Sequence, residues 1–279
     1  MAKFVYSIGS AVVTGTFGFG MMLTSAFAAD IGSGCIPAVS TVNGKIEGAG
    51  GYYKDDVSSG ARFQGVASLS LPLGCLFGAQ IDIGGGDLDG DGFIGAGGHL
   101  FMRDPSSYLL GVQAQYINLG GDDIFRIGPE AELYLGDVTL SAMAGFEDAH
   151  KFNSDNVVAQ FEAAYYINDN FKLYGGYRHF LPVDAGAIGF EFKPESLPAS
   201  VFVDAMVGSD HYASVMGGLR FEFGATDKSL KARQREDDPV HFFNLLARAA
   251  ESCVPVVTDG FSAPAIADSL SSCDKPPLP

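Results

Sequence analysis

The segment Asp87-Leu88-Asp89-Gly90-Asp91-Gly92 places three carboxylates on alternate residues, with glycines between and after them. That spacing is the first half of a calcium loop, in which hard oxygen ligands gather around the ion and a glycine permits the sharp turn. The second half departs from it, because the twelfth position is Gly98 where a bidentate glutamate is needed. An acidic hairpin is the competing reading, since Asp and Gly are turn formers. The five histidines are His99, His150, His179, His211 and His241, and no H-E-x-x-H, G-x-S-x-G or phosphate-loop motif accompanies them. His179 falls on the apolar side of its segment. The neighbouring segments near 157–163 and 185–190 offer no serine on that side, so no nucleophile–base pair is visible. Catalysis is not expected, nor is a cofactor other than Ca²⁺ at Asp87, Asp89 and Asp91. The four cysteines form no C-x-x-C pair and have no neighbouring histidine, which disfavours a metal site.

The elements that must position these residues follow from composition. The chain has 279 residues, 37 of them Gly, a net charge of −16 and only 18% charged residues. Its mean hydropathy is nevertheless +0.17. Disorder needs low hydrophobicity and high charge, so it is excluded. A generic nucleic-acid partner is excluded by 17 Lys and Arg against 33 Asp and Glu. After the first 30 residues no apolar run reaches the ~18 residues that a transmembrane helix needs. Residues 1–28 read as a secretory signal peptide, with Lys3, an apolar run from Phe4 to Leu23, and a cleavage pattern ending Ala26-Phe27-Ala28. Export would deliver the chain to an oxidising compartment.

From about 41 to 224 the hydrophobic pattern has period two, the period of strands. The expected strands lie near 42–52, 61–71, 73–83, 93–103, 108–117, 124–135, 138–147, 157–167, 171–181, 185–192, 201–207 and 212–223. On their polar parity stand nine acids (Glu47, Asp82, Glu130, Glu132, Glu147, Glu162, Glu191, Asp204, Glu222) and seven bases (Lys45, Arg62, Arg103, Arg126, Lys172, Arg178, Arg220). The other parity carries no charge at all. A charge facing lipid at the bilayer centre costs about 2–4 kcal/mol, so a membrane barrel needs one uncharged face. The polar parity also holds Val66, Leu76, Leu109, Met143, Val158, Phe202 and Met206, which suit the crowded interior of a small barrel. Aromatic residues fall near both ends of the apolar face. Tyr52, Phe63, Tyr116, Phe125, Phe146 and Tyr177 form one row; Phe77, Tyr108, Tyr165, Phe171, Phe192 and Phe223 form the other. Connections at 53–60, 84–92, 118–123 and 147–156 are expected to be long outer loops, and those at Pro72, 103–107, 136–137 and 168–170 short periplasmic turns.

With these features the chain resembles bacterial outer-membrane β-barrels of the porin-like type. The resemblance covers about residues 41–224 and includes Gly217-Gly218-Leu219-Arg220-Phe221-Glu222-Phe223. There Phe221 and Phe223 are similar to the signal such barrels present to their assembly machinery. The Arg235–Pro239 segment also resembles a tail found in alphaproteobacterial porin-like proteins. The expected fold is an all-β transmembrane antiparallel up-and-down barrel of about 12 strands, with a short periplasmic C-terminal tail containing one helix. The expected location is the outer membrane, with outer-membrane lipid, lipopolysaccharide and the assembly machinery as partners; the oligomeric state is left open. Passive passage of small polar solutes or ions stands beside a closed structural barrel, with a hydrolase or a soluble periplasmic β-protein as further alternatives. In the first case the charged parity would line the lumen and set selectivity.

In this register Cys35 and Cys75 both lie at the periplasmic end, while Cys253 and Cys273 share the tail. Of the three possible pairings, Cys35–Cys75 with Cys253–Cys273 fits best. Residues 29–40 would form a periplasmic N-terminal segment. In the tail (225–279), the part before Pro239 is charged, and 240–252 reads as a short amphipathic helix with Phe243, Leu246 and Ala250 on one face. It could dock under the barrel, plug the lumen or lie on the inner leaflet, docking being the plainest. Residues 254–279 are rich in Pro and Ser.

Overall fold

The computed structural model describes residues 36–56, 58–149, 154–180, 183–209, 211–224, 227–239, 241, 243 and 245. The predicted signal peptide, Cys35, Cys253, Cys273 and His150 lie outside these residues.

Twelve antiparallel strands form a closed barrel. They are β1 (Asn43–Lys54), β2 (Ser59–Pro72), β3 (Phe77–Leu88), β4 (Asp91–Asp104), β5 (Tyr108–Leu119), β6 (Asp122–Leu135), β7 (Val138–Ala149), β8 (Ser154–Asn168), β9 (Phe171–Phe180), β10 (Val183–Phe192), β11 (Ala199–Gly208) and β12 (Ala213–Phe223). Each strand pairs with its neighbours in sequence, and β1 closes on β12 with Gly44 opposite Phe223 and Lys54 opposite Ala213. Closure leaves no unpaired strand edge, which a membrane-spanning sheet requires. β1 starts and β12 ends at the same rim, called here the proximal rim; the opposite one is distal.

The uncharged parity faces outward. Ile46, Tyr52, Phe63, Ile83, Tyr116, Phe146, Tyr177 and Phe221 are all exposed. Between the two aromatic rows no described outward position carries Asp, Glu, Lys or Arg. Charges return on this face at the distal rim, at Lys54, Asp87, Asp123, Asp148 and Asp184. Tyr116 and Tyr177 of the aromatic row donate their hydroxyls to Asp123 and Asp184. The residues thus change from apolar to amphipathic to charged along the barrel wall, the order of the environments from bilayer to water.

The expected alternation of long and short connections is not what the barrel has. Residues 84–92 and 118–123 are nearly all strand, with only Asp89-Gly90 and Gly120-Gly121 as turns. Both pairs have positive φ at each residue (55° and 90°; 56° and 82°), the requirement of a type I′ hairpin turn. Glycine and aspartate there supply turn chemistry rather than loop length. The segments 53–60 and 147–156 likewise shrink to connections over 55–58 and 150–153, and the connection over 193–198 at the proximal rim is longer than any of these. Leu76 lies in the exposed β2–β3 turn, not on the inner wall.

One α-helix follows the barrel, α1 (Leu230–Glu236). Ser229 caps it by accepting a hydrogen bond from the Ala232 N–H, and Arg233 and Arg235 stand in its last turn, where the helix dipole favours cations. The helix lies ahead of the expected 240–252. Of that range His241, Phe243 and Leu245 are described, and none is helical.

Candidate functional site in the barrel lumen

All sixteen predicted lumen charges point inward. Thirteen are buried, while Glu132, Glu162 and Arg220 are partly buried. Alternation puts them on one face of each strand, and the register of neighbouring strands makes them partners. Arg126 of β6 pairs with Glu147 opposite it on β7. Arg178 of β9 makes two parallel bonds of 2.7 Å to Asp204, with Glu162 at 3.6 Å. Arg220 bridges Glu47 and Glu191. Lys193, missed because it follows the end of β10, meets Glu222 at 2.7 Å. His99 lies between Asp82 (3.1 Å) and Glu130 (2.9 Å), so each ring nitrogen faces a carboxylate, the arrangement of an imidazolium. Burial of these charges is tolerable because most meet an opposite charge, while Arg103 donates to the Ala38 carbonyl over the Phe101 ring and Glu132 accepts from the Tyr134 hydroxyl; an unmatched ion would pay the full cost of leaving water.

The lumen also holds the tail. At the proximal mouth α1 lies across the opening. Lys231 meets Asp137 at 2.7 Å, and Arg235 donates to the Gly136 and Val138 carbonyls. The Lys231 ammonium holds the exposed Asp137 carboxyl below its ordinary range. Arg233, buried, donates to the Gly44 and Phe223 carbonyls at the seam between first and last strands. Residues 36–42 close the mouth from the other side: the Ala38 N–H bonds to the Cys75 carbonyl, and the Ser40 hydroxyl bonds to Asp237.

Beyond α1 the chain enters the barrel. Asp238 binds Lys45 at 2.6 Å, and the Pro239 carbonyl accepts from Lys45 and Gln80. Burial pushes the Asp238 carboxyl up, but Lys45 and Arg233 beside it hold it below the usual carboxylate range. His241 reaches Glu47 at 3.2 Å. Phe243 packs over Gly84 and Gly95 in a cluster with Val66, Phe93, Ile117, Ile124 and Ala149. Leu245 joins a second cluster with Tyr53, Leu88, Val158, Phe180 and Tyr212. Of the three placements weighed from sequence, the described residues adopt the plug. A cavity of about 70 Å³ remains among Glu47, Lys172, Glu191, Arg220, Gln234 and His241, enough for only a few waters.

The residues missed from sequence are those of the plug: Arg233, Gln234, Asp238 and His241. Their signal was present. Leu230–Glu236 is a run of strong helix formers after a capping serine, and it carries charges that the barrel wall can match.

The calcium reading meets a different geometry. Asp87 accepts the Gly90 N–H at 2.8 Å and so caps its own turn. Asp89 lies against Gly60 and Asp91 against Gly120, on opposite sides of the hairpin. The three carboxylates diverge, and among the described residues no group of three or more His, Cys, Asp or Glu side chains is arranged to hold a metal. His179 faces outward at the distal rim with Nδ1 2.6 Å from Asp184. Ser209 Oγ accepts from the Asp184 backbone N–H, across β10 from the imidazole.

A closed twelve-strand barrel with an uncharged, aromatic-bordered outer face and a charged lumen defines an outer-membrane barrel of the porin-like class. The comparison with solved structures agrees. The chain is similar to the KdgM porin in complex with disordered oligogalacturonate, at 8% identity and TM-score 0.50 over 64% of this chain and 99% of that one. It is also similar to a protein from work on in-meso crystallization of membrane proteins, at 13% identity and TM-score 0.51 over 73% and 96%. The outer membrane phospholipase dimer of Salmonella typhi with bound calcium matches at 9% identity and TM-score 0.46 over 68% and 93%. At such identities the likeness is one of fold. No protein-family model and no curated protein matches the sequence.

Proposed function

We propose that this chain is an outer-membrane channel for small polar solutes or ions, held closed by its own C-terminal tail. The supporting observation is the nature of the wall beneath the tail. Lys45, Glu47, Lys172, Glu191 and Arg220 line a continuous charged surface that the tail covers with polar contacts through Gln234, Asp238 and His241. Rings of charge of this kind select ions and polar solutes in pores. Twelve strands also enclose more space than the eight whose side chains fill the interior, and here a segment of chain occupies the difference. The proximal rim is the periplasmic one, as an even strand number with both barrel ends on one side implies.

The test is conductance in a planar bilayer, comparing the full chain with one ending at Gly224. The full chain is expected to be nearly silent and the truncated one to carry a steady current with weak cation preference. A truncated barrel that folds, migrates as heat-modifiable and carries no current refutes the channel. It would favour a closed structural barrel, the reading supported by the apolar clusters of the distal half.

A cystine between Cys35 and Cys75 is part of the same proposal. The Ala38–Cys75 backbone bond brings the chain that follows Cys35 alongside Cys75. A non-reducing peptide map joining Cys35 to Cys253 or Cys273 would exclude it.

A further inference from the structure

The seat that the tail occupies on the barrel wall has two parts of opposite chemistry. The first lies toward the proximal mouth. Lys45 makes its one ion pair among the described residues with Asp238, at 2.6 Å, and its ammonium also donates to the Pro239 carbonyl at 3.0 Å. Gln80 of β3 donates to the same carbonyl at 3.2 Å. Two donors of the wall thus converge on oxygen atoms that belong to the tail. Asp82, which also accepts from Gln80, is matched by His99 at 3.1 Å.

The second part is apolar, and the strand register builds it. Val66, Gly84, Gly95, Ile117, Ile124 and Ala149 are paired in turn across β2 to β7, so they stand in one inward row around half the barrel. The row carries no polar side chain, and Val66, Ile117, Ile124 and Ala149 in it are buried. In its middle the two glycines face each other and leave a hollow, which the Phe243 ring fills. A Cβ would stand 3.3 Å from that ring at Gly84 and 2.8 Å from it at Gly95. A passage for ions alone gains nothing from such a row, because apolar surface resists a hydrated ion. The donors and the hollow are close: Gln80 and Gly84 stand four residues apart on β3, roughly 13 Å of strand. A carboxylate, a short run of methylenes and a phenyl ring can cover that span.

We propose that this seat is a solute-binding site for amphiphilic carboxylates, molecules with a carboxylate at one end and an aryl or branched alkyl group at the other. The carboxylate takes the place of Asp238 on Lys45 and Gln80, where its hydrogen bonds are charge-assisted. The apolar group enters the glycine hollow as Phe243 does, and leaving water drives it there. The tail holds the seat as an internal mimic of the solute. The inference rests on the channel reading, since a solute reaches the seat only where the tail yields it. The site is local: nine acids against seven bases still line the lumen as a whole.

The test uses the full chain carrying Asp238→Ala and Phe243→Ala, which clears both parts of the seat and leaves the wall unchanged. Phenylhexanoate is titrated against it by calorimetry in detergent, and the leak current of the same protein is recorded in a planar bilayer. Saturable binding is expected, about tenfold or more tighter than that of hexanoate or phenylhexanol, each of which lacks one end. Adding Gly84→Val should weaken binding by about tenfold as well. The Phe243 ring supplied the three nearest atoms to a Cβ there, so its removal leaves the barrel room for the new side chain. Adding Lys45→Met should have a similar effect from the other end of the seat. Absence of binding overturns the proposal. So does binding that either wall variant leaves unchanged, which is partition into detergent. Current without binding would overturn the site and leave the channel standing. Binding that depends on Gly84 and Lys45, with no current, would defeat the channel and leave the site.

Discussion

The two halves of the lumen hold the same tail by different physics. In the proximal half the contacts are ionic and directional: Lys45 with Asp238, Glu47 with His241, Lys231 with Asp137, Arg233 with the seam carbonyls. In the distal half they are apolar, with Phe243 and Leu245 packed among Val66, Phe93, Ile117, Tyr53 and Phe180. Ionic contacts fix position and respond to pH and to screening by salt, whereas apolar packing neither titrates nor is screened and senses shape. A plug built on both is anchored in register at one end and sealed at the other.

This contrast can be broken from either side. The largest effect should come from Lys45→Met, which leaves Asp238 buried without its ammonium. Arg233 stays 3.2 Å from Asp238 as a second partner, which holds the loss to the lower end of the about 3–5 kcal/mol that removing one partner of a buried pair costs; the variant should still expose Lys228, Lys231 and Arg235 to trypsin in detergent micelles. The double variant Lys45→Met/Asp238→Leu should recover much of the protection. Phe243→Ala attacks the seal instead. Loss of a buried phenyl costs about 3 kcal/mol or somewhat more, and a leak current should appear in bilayers while α1 stays protected. Gly84→Val sharpens the same point from the wall. A Cβ at Gly84 would stand 3.3 Å from the Phe243 ring, and that ring supplies its three nearest atoms. The added methyl groups should displace the phenyl and give a smaller leak without loss of the barrel.

Acid should loosen the proximal half alone. Undocked, Asp238 and Asp137 take up protons near pH 4, while docked they hold out to lower pH. Their contribution to docking is therefore complete above about pH 4 and is lost as pH falls through the lower docked values. Trypsin sites in α1 should open as pH falls below about 4, assayed by an acid pulse and neutralisation, with the distal contacts unaffected. The smallest effect belongs to the exposed pair of His211 and Asp56 at the distal rim. His211→Ala should change thermal stability by less than about 1 kcal/mol.

The barrel was legible in the sequence because lipid is an unforgiving solvent. Between the two aromatic rows no strand can place a charge on its outer face, so Glu47, Arg62, Arg178 and Asp204 announce their parity without knowledge of any partner. The turns were less legible. Asp89-Gly90 and Gly120-Gly121 were read as loop material because the residues that favour loops also favour type I′ turns. Distinguishing them requires the pairing register, which is a long-range property. The plug was least legible. Asp238 and His241 acquire meaning only when Lys45 and Glu47, almost two hundred residues earlier, are placed around them. A charged segment with no visible partner reads as solvated chain.

Arg233 carries one more consequence. Its guanidinium takes one carbonyl from Gly44 and another from Phe223, and these lie side by side only where β1 has paired with β12. On an open, half-inserted sheet the two acceptors are at opposite edges, and the binding site does not exist. This one anchor of the helix therefore forms only on a completed cylinder. The segment that fills the lumen thus also reads the closure of the sheet, through two oxygens that one side chain binds together.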